Sequence, residues 1–245
     1  MHNTKLWSSN NQNTNLHKFI DHLDANYNIK TYEDLHNWSI NHKNDFWNSI
    51  WDFTNFIGEK KGKVFKQNPE FTKNKFFDES KINFTENCLV RNDDDEAIIF
   101  HSENKINRKY SWKELRAAVF KFSNYLKNNG IKKNDRVAAI VPNIPETVIS
   151  FLSTAQLGAI WSSCSSDFGK KAIIDRFKQI EPKVLLISDY YFYNTKKVDT
   201  TKIIKEVIND IPSIKKIILI PYEFNKVNYQ LDFKYENLYN ILNEE

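Results

Sequence analysis

From residue 97 onward, short, mainly apolar runs alternate with longer stretches whose apolar positions recur every three or four residues. The mainly apolar runs, residues 97–100, 136–141, 159–164, 183–187 and 215–220, have the length of strands. Such apolar character suits strands buried on both faces of a parallel sheet. Between them, Leu115, Val119, Phe122 and Leu126 fall on one helical face, as do Val148, Leu152 and Ala155 with Phe151 beside them. Ile173, Ile174 and Phe177 mark a helix over 169–179, and another is expected over 203–208. Ser111 and Glu114 have the spacing of a capping box. Pro145 suits the first turn of a helix, where a missing N–H costs nothing, and Gly130 and Gly158 stand where helices stop. Strands alternating with helices define an α/β class. Residues 189–199, which follow a strand, are expected to form a loop.

Before residue 90 the pattern is helical only. Leu16, Phe19, Ile20 and Leu23 share one face. Thr31 and Asp34 resemble an N-cap with its acidic partner, ahead of Leu35 and Trp38, and Phe46, Trp47, Ile50 and Trp51 form another face. Packing accounts for Trp38, Trp47 and Trp51. Trp7 is the one anchor of a polar first stretch, and 58–72 reads as loop. The expected organisation is a helical leader over 1–90, unable to bury itself alone, followed by the first part of an α/β domain over 91–245.

Composition changes this picture little. A hydrophobic share of 40% and a charged share of 27% describe a soluble globular chain. The net charge of +4 is spread over separate pairs, Lys60 and Lys61, Lys132 and Lys133, Lys170 and Lys171, Lys196 and Lys197, Lys215 and Lys216. With no dominant basic block, a nucleic-acid partner is not expected. No run has the apolar length of a membrane span, and the N-terminus has no signal-peptide core. Cys88 and Cys164 are far apart and lack metal-ligand spacing, which suits reduced thiols and a cytoplasmic protein. The acids Asp93, Asp94, Asp95 and Glu96 would need a further converging ligand to hold a metal; an exposed hairpin or loop is the plainer expectation.

The most informative stretch runs from residue 135 to 169. Asp135, Arg136 and Val137, then Val141, Pro142, Asn143, Ile144, Pro145 and Glu146, then Leu157, Gly158 and Ala159 resemble the first core block of the acyl-adenylate-forming (AMP-binding) superfamily, in its CoA-ligase branch. Trp161, Ser162, Ser163, Cys164 and Ser165, followed by Ser166, Asp167, Phe168 and Gly169, look like the acetoacetate-activating subfamily. Trp38, Ser39, Phe46, Trp47, Trp51, Asp52 and Phe53 resemble the helical leader of such enzymes, and Asn83, Phe84, Glu86, Asn87 and Leu89 the entry to their large domain.

The resemblance implies a two-step ligase. A carboxylate, here a short-chain keto acid, attacks ATP with Mg²⁺ present, and the CoA thiol then displaces AMP. The first step needs a Ser/Thr/Gly-rich phosphate loop ending in Pro-Lys. The chain has five glycines, and no two are close enough to build that loop. In the family, this loop, the ribose-binding Asp and the catalytic Lys lie downstream. The resemblance therefore implies an N-terminal portion, either a fragment or the product of a truncated gene, with no catalytic or metal residue of its own and no activity alone.

What it implies is part of a CoA site: Ser165, Ser166 and Asp167 at one contact, and Lys196 and Lys197 at a second, where cations suit a 3′-phosphate. The family's Gly-Gly is replaced, and Lys stands where Arg is familiar. The plainer reading has Ser165 to Asp167 capping a helix and the two lysines solvated. Cys164, with no His after His101, reads as a buried structural cysteine. Three other readings stay open: an acetyl- or propionyl-CoA synthetase portion, a non-catalytic stub with at most weak CoA binding, and a stand-alone nucleotide-binding α/β protein.

Overall fold

The computed structural model describes residues 11, 13–103, 106–223 and 230–244; Trp7 lies outside them. The chain divides into two compact units, Met1–Ile82 and Asn83–Glu245.

The first unit opens with three helices, α1 (Asn15–Tyr27), α2 (Tyr32–Asn41) and α3 (Lys43–Phe53). The capping box at α2 is present, with Thr31 Oγ1 accepting from the Asp34 N–H and the Asp34 carboxylate accepting from the Thr31 N–H. Contrary to expectation, these helices make a core of their own. Phe19, Ile20, Leu23, Ile29, Leu35 and Trp38 are buried together, with Phe46, Ile50 and Phe53 packed against them. The stretch read as loop contains strands of two residues. β1 (Gly58–Glu59) pairs with β4 (Lys81–Ile82), and β2 (Phe65–Lys66) pairs with β3 (Lys75–Phe76).

The second unit begins with α4 (Phe84–Cys88) and an antiparallel hairpin of β5 (Glu96–His101) and β6 (Asn107–Ser111). Then come α5 (Trp112–Asn128), β7 (Arg136–Ile140), α6 (Pro145–Gln156), β8 (Ile160–Cys164), α7 (Lys170–Lys178) and β9 (Val184–Ser188). The chain continues through β10 (Tyr190–Tyr193), β11 (Lys196–Asp199), α8 (Thr201–Asp210), β12 (Lys216–Ile220), β13 (Glu236–Asn237) and α9 (Leu238–Asn243). Five strands form one parallel sheet in the order β13-β12-β9-β7-β8.

Both faces of the sheet are apolar, as the apolar runs require. Val137 and Ala139 of β7, Val184 and Leu186 of β9, and Ile218 and Ile220 of β12 face a core shared with Phe122 and Leu126 of α5 and Leu238 and Ile241 of α9. The intervening residues Ala138, Ile140, Leu185, Ile187, Ile217 and Leu219 face the other layer, with Ile173 and Phe177 of α7 and Ile204 and Val207 of α8.

The face expected for α6 is borne out at Leu152 and Phe151 but not at Val148. Val148 is 36% exposed, whereas Glu146, Ile149, Ser150, Ser153 and Thr154 are buried along with Leu152. Ser153 and Thr154 can be buried here because their hydroxyls turn back onto carbonyls, whereas the Ser150 hydroxyl has no hydrogen-bond partner among the described residues. Ser153 Oγ donates to Ile149 O at 2.7 Å and also lies 3.1 Å from Val119 O, and Thr154 Oγ1 donates to Ser150 O at 2.8 Å. The stretch resembling the domain entry holds the other end of α6. Asn83 Nδ2 donates to the Ala155 and Gln156 carbonyls, and Thr85 Oγ1 to the Leu152 carbonyl.

Residues 189–199 are a hairpin and not a loop. β10 and β11 pair from Tyr190 opposite Asp199 to Tyr193 opposite Lys196. Asn194 and Thr195 form a two-residue turn with φ of +48° and +64°, the left-handed pair that a type I′ turn demands.

Candidate functional site

In open α/β sheets, ligands bind beyond the carboxyl ends of the strands, where the strand order reverses. Here the chain passes from β7 outward to β8, then returns across β7 to β9 and continues to β12 and β13. The reversal lies between β7 and β9. The loop at Pro142, the turn from Ser165 to Gly169 and the β10–β11 hairpin all leave this end of the sheet.

The turn after β8 is held by Phe168 N donating to Ser165 O at 3.2 Å. Ser165 and Asp167 are exposed, whereas Ser166 is 5% exposed. The Ser166 hydroxyl is buried with no hydrogen-bond partner among the described residues, an unusual state for a buried donor. α7 starts at Gly169 with no side-chain cap and no acid in its first turn, so none of Ser165, Ser166 and Asp167 caps the helix. Beneath the turn, burial raises the Cys164 thiol pKa and Arg176 works against that rise. Arg176 Nη1 lies 3.9 Å from the Cys164 sulfur, and the guanidinium lies over the Phe168 ring at 5.1 Å.

The hairpin is sewn to the sheet end at its root. The buried Asp189 carboxylate accepts from Tyr190 N at 2.9 Å and Tyr222 N at 2.8 Å. Thr200 Oγ1 donates to Ser188 O at 2.5 Å. The pairing register sends the two lysines to opposite faces. Lys197, opposite Phe192, sits over the buried Tyr190 ring at 3.6 Å, a cation–π contact. Lys196, opposite Tyr193, shares its face with Tyr191 and Tyr193, and Tyr193 is 70% exposed. That face feels the turn: burial raises the Tyr191 pKa, and the Asp167 charge raises it further. The register therefore puts Lys196 on the face of Tyr191 and holds Lys197 against Tyr190.

Sequence reasoning missed the polar network behind the β7–α6 loop. Glu146 is fully buried and binds Arg108 through two hydrogen bonds of 2.5 and 3.0 Å. It also accepts from the Tyr110 hydroxyl at 3.2 Å and the Tyr239 hydroxyl at 2.9 Å. Burial and then the Glu146 charge push both tyrosine pKa values well up. Burial disfavours the Arg108 charge, but Glu146, Tyr239 and Tyr110 together outweigh it and the Arg108 pKa is raised. Nothing in the sequence links residues this far apart. Asp135 and Arg136, part of the resembling block, serve the opposite end of β7. Asp135 accepts from Lys132 N and pairs with Lys183 at 2.7 Å, and Arg136 donates to the Ile180 and Glu181 carbonyls. Two of the acids at 93–95 have a partner: Arg91 donates to both Asp93 and Asp95.

A parallel α/β sheet whose loops gather beyond the carboxyl ends of its strands belongs to the class of open α/β folds that bind ligands at that end. The chain belongs to the AMP-binding enzyme family, whose model matches residues 84–238. It is 37% identical over 207 residues to an acetoacetyl-coenzyme A synthetase of Rhizobium meliloti (strain 1021), covering 84% of this chain and 32% of that protein. It is 33% identical over 224 residues to an acetoacetyl-CoA synthetase of Xenopus tropicalis, covering 87% of this chain and 33% of the relative. The solved acetoacetyl-CoA synthetase from Streptomyces lividans superposes with a TM-score of 0.86 at 25% identity, over 96% of this chain and 36% of that one. The chain thus spans about a third of the length of the relatives it matches. The subfamily resemblance read from Trp161 to Gly169 is borne out.

Proposed function

We propose that this chain is the N-terminal portion of an acetoacetate–CoA ligase, an enzyme that converts acetoacetate, ATP and CoA to acetoacetyl-CoA, AMP and pyrophosphate. The observation that carries the reading is that the relatives matched over most of the chain bear the name acetoacetyl-CoA synthetase. That favours acetoacetate over acetate or propionate as the acid.

Within this reading the chain contributes a share of the CoA site. The unpartnered Ser166 hydroxyl supplies a hydrogen bond, the exposed Ser165 lies beside it, and Lys196 supplies the cation for a phosphate. Asp167 borders the site and sets its charge. Lys197 acts through Tyr190, holding the hairpin in place. CoA, when bound, supplies the thiol that accepts the acyl group. ATP and Mg²⁺ belong to the proposed reaction, but the five scattered glycines give no phosphate loop to hold them, and no step through them is assigned to these residues. Among the described residues no helix is long and apolar enough to cross a membrane; the reading carries a cytoplasmic location with it.

The test is ATP–pyrophosphate exchange with acetoacetate and with acetate. The chain is assayed alone and mixed with a polypeptide supplying the remaining two-thirds of a relative. The expected result is no exchange alone and acetoacetate-dependent exchange after mixing. Exchange by the chain alone would overturn the assignment of catalysis elsewhere, and exchange with acetate in preference would overturn the choice of acid.

A further inference from the structure

Two of the five lysine pairs that look scattered in sequence come together in the fold with two single lysines. Lys132 and Lys133 precede β7, Lys183 precedes β9, Lys215 and Lys216 lie at the start of β12, and Lys234 precedes β13. The strands are parallel, so all of these residues lie at the amino end of the sheet, opposite the turn after β8 and the hairpin. Backbone bonds tie them side by side: Lys183 N donates to Arg136 O at 3.0 Å, and Lys215 N to Lys183 O at 2.8 Å. With neighbouring strands about 4.8 Å apart, they form one cationic edge.

A cavity of about 180 Å³ sits in this edge, lined by Lys215, Lys216, Lys234, Tyr235 and Glu236 among others. Its single carboxylate is already engaged. Lys216 Nζ donates to Glu236 Oε1 at 2.6 Å, and the Tyr125 hydroxyl to Oε2 at 2.5 Å. Lys216 also donates to Asn129 Oδ1 at 2.6 Å, and Lys215 to Pro212 O at 3.1 Å. Lys234 is exposed, and its charge acts on Glu236 alongside that of Lys216. The cavity therefore holds an excess of positive charge and spare N–H donors. Its volume is well below the roughly 300 Å³ at which pockets for drug-sized ligands begin.

We propose that this cavity is a binding site for a small phosphate-bearing anion, separate from the CoA site and independent of the ligase reading. Lys234 and Lys215 supply the free charge. Lys216, fixed by Glu236 and Asn129, supplies a positioned donor.

The test uses the full ¹⁵N-labelled chain titrated with inorganic phosphate, and in parallel with chloride at matched ionic strength. Phosphate is expected to produce saturable shifts at the amides of Lys215, Lys216, Lys234 and Glu236. Residues 165–169 should not move, and chloride should not reproduce the effect. Lys215→Glu combined with Lys234→Glu should weaken binding by at least about tenfold, and Lys60→Glu in the first unit should not. Both lysines of the cavity pair are exposed, and an unchanged melting temperature confirms that the double variant folds. Phosphate shifts that merely follow chloride, or undiminished binding by the double variant, would overturn the proposal.

Discussion

At the scale of single residues, the fully buried Glu146 has the most to lose. Its carboxylate accepts from Arg108, Tyr110 and Tyr239, three side chains from two elements, β6 and α9. Removing one partner of a buried pair leaves the other charge uncompensated, at a cost of about 3–5 kcal/mol. Glu146→Gln is expected to lose stability on that order in urea unfolding. Glu146→Leu combined with Arg108→Met should lose less, because neither charge is then stranded; equal losses would show that the pair is not coupled. Asp135 gives a pH signature instead. The hydrogen bond from Lys183 holds its pKa below the usual carboxylate range. As pH falls through the unfolded value of about 3.9, the unfolded chain takes up the proton first. The stabilisation is present above that pH and is lost as pH falls through the lowered folded value. Lys183 is about half exposed, so the pair is worth only about 0.2–1 kcal/mol. Lys183→Gln should be less stable at pH 7 by that amount, with the difference closing in acid. A constant offset from pH 7 to pH 2 would remove Asp135 from the account.

At the scale of elements, the hairpin invites a stabilising change. Thr195 is β-branched and holds φ at +64°, where left-handed backbone costs an L-residue about 1–2 kcal/mol. Its N–H donates to Glu103 at 2.8 Å, which a glycine would preserve. Thr195→Gly is therefore expected to stabilise the chain by about 1 kcal/mol in urea unfolding; a loss of stability would mean that the Thr side chain contributes packing worth more than the strain. The same hairpin shows where the sequence is readable. Capping boxes at Thr31 and Ser111, Pro145 at a helix start and left-handed Gly130 and Gly158 are local signals, and each stands where expected. The hairpin was hidden because its turn is Asn-Thr and not Asn-Gly, and because the lysines of β11 obscured the aromatic strand before it. The α6 face was hidden because Ser153 and Thr154 satisfy themselves on their own helix, so polar residues could be buried and Val148 left outside. In the candidate site, Ser165, Ser166 and Asp167 were marked by their motif. The opposite orientations of Lys196 and Lys197 follow from a register that only the pairing reveals. Glu146 with Arg108, and the cationic amino edge, exist only once distant segments meet.

At the scale of the whole molecule, the parallel sheet separates two chemistries. The turn and hairpin leave its carboxyl end, and Lys132, Lys133, Lys183, Lys215, Lys216 and Lys234 lie at its amino end, as the parallel strands place them. The sheet also has a free side. β8 pairs with β7 alone among the described strands, and Ile160 at its start is 48% exposed. Trp161, Phe151 and Phe84 continue an aromatic contact series beside it, with ring centroids 6.3 and 5.5 Å apart. An edge with unpaired backbone groups and large apolar side chains is a template for self-association, and this chain spans only a third of the relatives it matches. Ile160→Lys places a charge on that edge at a position already open to water. It is expected to raise the concentration at which the chain stays monodisperse in light scattering, with little change in unfolding midpoint. Ile218→Lys is the contrast, since that side chain is fully buried in the central sheet, and it should prevent folding. If Ile160→Lys folds normally and aggregates as before, β8 is not the associating edge. The exposed Phe84 would then be the residue to change next.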